Sequence, residues 1–319
     1  MKKILFSLLT LLLINTVFAQ NEVFRVLITK GDNKYTAATG SAASPLLVGS
    51  KLLNTASVTV GTAGYVALAH VSTGKTIEVK TAGSYTVAKL VEQVNLQNAS
   101  VSSKYMNYVT GQMASAGNED LNANRQKYMS VTGSVERGDN PIIVYAESKN
   151  AVIANDVALA WTFKDNAEAT KRHTFIVKVV DVYEEVIDEI STTDTSLILN
   201  LSKYKLDKDF ELIVMIQTKE HAHLKSDKYM LTSVASDKKK QIETDYAKLT
   251  SELDMTSPLS KLICASYLAE QGLVLNSMAM YKEAIALQPE VAEFKTAYSD
   301  YVNAVGLAKL VNEQKKGKK

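Results

Sequence analysis

VGTAGYVALAHVSTGKTIEV, residues 60–79, decides how the first third of this chain folds. Small and β-branched residues alternate, and glycines at 61, 64 and 74 interrupt them. Alternation of this kind reads as half-buried strand, and glycine between such runs reads as a tight turn needing backbone freedom. Working outward, FRVLITKG, KYTAATG, LLVGSKLL, ASVTV, KTIEV and YTVAKL repeat the pattern between residues 22 and 90. Short strands punctuated this regularly predict a small antiparallel barrel or sandwich.

The ends of the chain bound the compartment. MKKILFSLLTLLLINTVFAQ has a basic start, an apolar run over Ile4–Ile14 and Val17-Phe18-Ala19 before Gln20. The run is too short for a membrane helix and has the form of a secretory leader, so residues 1–19 are expected to be a signal peptide. The expected location is the periplasm or the exterior. No later stretch has the roughly 18 apolar residues of a membrane span. Without Lys2 and Lys3 the 36 basic residues fall to 34, matching the 34 acidic ones. That balance argues against nucleic acid as a partner. Cys264 is the only cysteine, which excludes an intramolecular disulfide, and its apolar neighbours point to burial. The chain is longer than one core readily serves, so several domains are expected.

After the first β region (residues 20–90), residues 91–137 read as a helix and polar connector. Leu90, Val91, Val94 and Leu96 fall at near-helical spacing, and ASAGNEDLNANRQ is polar. Residues 138–236 are again β: PIIVY, VALAWTF, HTFIVKVVDV, SLILNL and FELIVMIQT, with Trp161 in an alternating strand where a core plug is expected. Residues 237–319 are helical. Ile242, Tyr246, Leu249 and Leu253 mark one helix face, Ser257-Pro258 starts a second helix, and Val291–Leu310 predicts a capping helix.

Three resemblances follow. LLVGSKLLNTASVTVGTAGYVALAHVSTGKTIEVKTAGSYTV, with Gly49, Ser57, Gly64 and Gly74 as landmarks, resembles the FecR-type periplasmic domain. Pro141 through Trp161 to FELIVMIQT is similar to an immunoglobulin or fibronectin type III sandwich. Ala265, Tyr281, Ala284 and Pro289, with Gly272 between helices and Ser277 replacing the usual alanine, resemble one tetratricopeptide repeat. The expected fold class is therefore multi-domain β plus α: a small antiparallel β-domain, an Ig-like sandwich and a helical hairpin. These resemblances imply protein–protein contact at the cell envelope, with envelope proteins as partners. Tyr267, Tyr281, Tyr105 and Tyr108 are the candidate partner-binding residues.

Catalytic templates find little purchase. The chain has no GxSxG, GxGxxG, GxxxxGK[ST] or HExxH. His221-x-His223 has the spacing of a ligand pair, with Glu220 or Asp227 as the nearest third group, and reads as exposed loop histidines. Glu184 and Asp188 would share a strand face as a carboxylate pair, yet VYEEVIDEI supplies only Tyr183 as an aromatic neighbour and reads as solvated edge charge. No catalytic residue, cofactor or metal is expected, and the chain is read as not an enzyme. A carbohydrate- or peptidoglycan-binding module and a self-assembling structural subunit stand as rivals.

Overall fold

In the computed structural model of the protein, the described residues are 22–73, 75–94, 105, 109 and 140–316. The expected signal peptide, most of the connector, Gly74, Tyr108 and the last three residues lie outside them. The fold is mixed: β-sheets in both halves and helices concentrated toward the C-terminus. By internal contact the chain divides into two compact units, 1–97 and 98–319.

The first unit holds β1 (Glu22–Lys30), β2 (Lys34–Thr36), β3 (Ser44–Pro45), β4 (Lys51–Leu53), β5 (Ser57–Val60), β6 (Tyr65–His70), β7 (Thr76–Val79), β8 (Gly83–Thr86) and helix α1 (Val87–Gln93). They form two antiparallel sheets, β4-β1-β6-β7 and β3-β2-β5-β8. One apolar core joins them, including Phe24, Leu52, Val58, Val66, Leu68 and Leu90. Thr86 caps α1 by accepting from the Lys89 N–H.

The glycines of the opening stretch close a turn around one buried side chain. Asn33 Nδ2 donates to Thr29 Oγ1 at 3.0 Å and to the Lys30 and Tyr65 carbonyls, while its Oδ1 accepts from Gly61 N at 3.0 Å. A Cβ on Gly64 would stand 2.5 Å from Asn33 Oδ1 and 2.8 Å from the Gly61 carbonyl oxygen, so no side chain fits there. The alternation of residues 65–70 is real strand, but β6 is buried on both faces. It lies between β1 and β7 in its sheet.

The second unit contains β9 (Ile142–Val144), β10 (Lys149–Val152), β11 (Asp156–Phe163), a short helix α2 (Asn166–Ala169), β12 (Phe175–Val180), β13 (Val186–Thr192), β14 (Ser196–Asn200), β15 (Glu211–Thr218) and β16 (Tyr229–Ser233). Helices α3 (Ser236–Ser251), α4 (Pro258–Glu270), α5 (Val274–Leu287), α6 (Ala292–Ala304) and α7 (Leu307–Lys316) follow. The strands form a five-stranded sheet, β10-β16-β15-β12-β13, and a three-stranded sheet, β14-β11-β9. All ladders are antiparallel except β10 with β16. Trp161 on β11 meets Phe175 on β12 edge-to-face at 5.3 Å, which places the tryptophan between the two sheets.

The change from strand to helix falls at Ser236, close to the expected boundary, yet the helices do not stand apart. Trp161 and Phe163 on β11 reach the facing sheet. The alternate Ala158 therefore lies on the opposite face, where α5 packs along the strand. Asn276 on α5 is fully buried and bonds three main-chain groups of the β10–β11 region: it accepts from Ile153 N at 3.2 Å and donates to the Ile153 and Asp156 carbonyls. Sandwich and helices thus share one compact unit.

The helices pack in succession, α4 on α5, α5 on α6 and α6 on α7, with the α4–α5 contact the most extensive. Ser257 caps α4 and Pro258 opens it. Ser277 Oγ donates to the Ala265 carbonyl at 2.9 Å, linking α5 to α4. The single capping helix expected over 291–310 is instead two helices, broken at Gly306, whose φ of 82° ends α6. Gly306 lies 34 residues after Gly272, itself at φ 75° between α4 and α5. Tyr267 and Tyr301, both buried, have the same separation.

Candidate interaction face

The tyrosines singled out from sequence are structural. Tyr281 is fully buried and stacks on Tyr301 with centroids 5.1 Å apart. Tyr267 donates its hydroxyl to the Ile242 carbonyl at 3.0 Å and stacks on Tyr246. Tyr105 lies edge-on to Tyr267 and donates to Glu270 Oε2 at 2.6 Å, which ties this residue of the connector to α4. All three serve helix packing, because aromatic rings here fill the gaps that small residues open between helices. They present no free ring to a partner, and Tyr108 lies outside the described residues.

The polar pairs do not converge either. His221 and His223 are exposed, with rings 5.7 Å apart. Glu220 accepts from Thr174 N, and Asp227 accepts from Asn140 Nδ2 at 2.5 Å, so neither carboxylate turns toward the imidazoles. Among the described residues no group of three or more His, Cys, Asp or Glu could hold a metal. Glu184 and Asp188 part company: Glu184 is in a turn with φ 67° and pairs with Lys228, while Asp188 accepts from Lys203 Nζ and Tyr204 OH. These two hydrogen bonds hold the Asp188 carboxyl below its ordinary range. A further carboxyl, Asp156, is held above its range first by burial and then by Glu283. Glu283 in turn pairs with Lys261 at 2.6 Å, all within the packing of α5 on β11. The Cys264 thiol is buried and pushed up to about 12, chiefly by desolvation.

A surface that the sequence reading passed over does assemble. On β12 and β15, Phe175, Val177 and Val179 and Leu212, Val214 and Ile216 are buried, so Val180 and Ile213 lie on the opposite face of the sheet. The register sets Val186, Val180, Ile213 and Met230 opposite one another across four strands. Val186 is exposed and the other three are half-buried. The principal helix packing on the five-stranded sheet is α5 against β10, the edge strand far from Val186. Directly opposite residues have Cβ atoms about 5 Å apart, so the row is a continuous apolar band.

At one end the band rises into the β12–β13 hairpin, where Val182, Tyr183, Val186 and Ile187 are exposed, Tyr183 most of all at 83%. The turn is built rather than loose. Asp181 Oδ1 accepts from Tyr183 N and Glu185 N, Asp181 N donates to the Glu185 carbonyl, and Glu184 adopts the left-handed conformation. A glutamate there is strained by about 1 kcal/mol or more, and such strain gathers where a surface is used. Ion pairs fringe the band: Lys228–Glu184, Lys178–Glu189 at 2.8 Å and Lys149–Glu211 at 3.6 Å. An apolar centre with a charged rim is the anatomy of a protein interface.

The signal for this face was present in FIVKVVDV and FELIVMIQT. These runs are more continuously apolar than a strand covered on one side requires, and a strand of that kind needs cover on both. The sandwich supplies cover on one side only.

No protein-family model matches this chain, and no curated protein matches it.

Proposed function

We propose that this chain is a non-catalytic, exported envelope protein that acts by protein–protein contact through the apolar band and its hairpin. The observation that carries this reading is the apolar row Val186–Val180–Ile213–Met230, half-buried at its centre and exposed at Val186, ended by the exposed Tyr183 on a preorganised turn. Tyrosine is enriched among the few residues that dominate interface energetics, and a rigid turn lowers the entropy lost on docking.

In the same proposal the first unit is a FecR-like module, supported by eight short strands folded around glycine turns. The following strands form an Ig-like sandwich, supported by two facing sheets with Trp161 between them. The helices form a tetratricopeptide-like end, supported by the 34-residue separation of Gly272 and Gly306. The leader at residues 1–19 directs export. No described helix is long and apolar enough to cross a membrane.

The test is retention of solubilised envelope proteins on the immobilised chain, compared with Ile213→Asp and Tyr183→Ala. Binding that falls at least tenfold in both, with unchanged thermal unfolding, supports the reading; equal retention by all three contradicts it. One observation favours carbohydrate instead, the solvent-facing Tyr183 ring, on which a sugar could stack. Sedimentation with peptidoglycan sacculi that depends on Tyr183 but not on Ile213 would favour that second reading.

A further inference from the structure

Strand β13 is the last of its sheet, and its free edge is specific enough to name what it accepts. Lys219 N donates to the Thr174 carbonyl and Asp181 N donates to the Glu185 carbonyl. Along β12, therefore, odd-numbered residues direct their main-chain groups toward β13 and even-numbered ones toward β15. Asp188, Ile190 and Thr192 oppose Val179, Val177 and Phe175 and form those bonds. Glu189 and Ser191 consequently turn their N–H and C=O groups outward, and both residues are exposed.

Edge strands are normally guarded by charge. Here each guarding charge is already compensated within the chain: Asp188 by Lys203 at 2.6 Å and Tyr204 at 2.8 Å, Glu189 by Lys178 at 2.8 Å. The edge is left polar in its backbone, with a lysine beside each of its two strand carboxylates.

We infer that the β13 edge pairs antiparallel with β13 of a second copy of this chain, in the register that sets Ile190 opposite Ile190 of the other copy. The register follows from charge. Pairing centred on Glu189 sets glutamate against glutamate, centring on Asp188 sets aspartate against aspartate, and centring on Ser191 sets Asp188 against Asp194. Like charges directly opposite are destabilising. Centring on Ile190 instead places Glu189 opposite Ser191 and Asp188 opposite Thr192. The two Glu189–Ser191 pairs then exchange about four main-chain hydrogen bonds, the Glu189 N–H turning to its new acceptor from the Asp188 carboxylate, and Ile190 meets its counterpart in the close, non-hydrogen-bonded position. The two five-stranded sheets become one sheet with both apolar bands on the same side. Edge pairing alone buries less than a standard interface, so the dimer is weak and concentration-dependent.

The test is sedimentation equilibrium of the full chain, purified as the cell processes it, with no partner present. It therefore fails or succeeds independently of any envelope protein. A monomer–dimer equilibrium is expected. Ser191→Pro removes an outward N–H, a change that edge positions tolerate, and should weaken association about tenfold or more with the unfolding midpoint unchanged. Ile190→Cys should form an intermolecular disulfide on mild oxidation, because close antiparallel pairs fall within disulfide reach, and Glu189→Cys should not. A chain monomeric at all concentrations, or a dimer unaffected by Ser191→Pro, overturns the proposal. Cross-linking through position 189 rather than 190 overturns the register.

Discussion

Replacing Asn276 by alanine tests whether helices and sandwich are one cooperative body. The native side chain is fully buried and makes three bonds to main-chain groups of Ile153 and Asp156, at 3.2, 3.4 and 3.0 Å. Alanine leaves the Ile153 N–H without its acceptor in a buried site, and an orphaned buried group costs about 1–3 kcal/mol. Each lost hydrogen bond to the two carbonyls removes about 0.5–1.5 kcal/mol more. The total is about 4 kcal/mol, equivalent to a midpoint drop of roughly 8–16 °C for a unit of this size. The probes are well separated: Trp161, the only tryptophan, sits between the sheets, and among the described residues the helical band of circular dichroism comes chiefly from α3–α7. Tryptophan emission and helical signal should shift together by the same amount. A helical transition that moves alone, leaving the Trp161 transition in place, would refute the shared core.

Three further outcomes are expected. Gly64→Ala, whose Cβ would meet Asn33 Oδ1 and the Gly61 carbonyl, should destabilise the first unit by about 1–3 kcal/mol and leave the Trp161 transition unmoved, as calorimetry with fluorescence would show. His70 lies buried against Phe24, and burial lowers its pKa. The unfolded chain therefore binds this proton more readily, and the stability that neutral His70 contributes is present above about pH 6.5 and lost as the pH falls through the lower folded value. The first unit's midpoint should drop on acidification, and His70→Gln should flatten that dependence in the same scans. Cys264, buried with its thiol pushed up to about 12, should resist alkylation in the native protein and react fully once denatured, as intact-mass measurement would record.

Local signals in the sequence carried much of this architecture. Glycine-punctuated alternation located the first β region, because a turn around Asn33 leaves no space at Gly64. Ser257-Pro258 located the start of α4, since a capping hydroxyl and a missing N–H act at that one position. The packing of α5 on β11 was not legible, because it depends on which face of β11 the alternation leaves to Ala158, a choice fixed only when Trp161 finds Phe175. Tyr267 and Tyr281 looked like contact residues and are packing residues: exposure of an aromatic on an amphipathic helix depends on what packs beside it. Conversely, VYEEVIDEI read as edge charge, and its apolar half gained meaning only from the register that sets Val186 beside Val180 and Ile213. The break at Gly306 was written in the sequence as a glycine 34 residues after Gly272.

The most direct measurement of the central claim is photocrosslinking in intact cells from a reactive amino acid placed at Tyr183, beside a control at the buried Tyr281 position. The account predicts a discrete adduct with an envelope protein at position 183, absent at position 281 and lost when Ile213→Asp is added. No adduct at position 183, or one indifferent to Ile213→Asp, would contradict it.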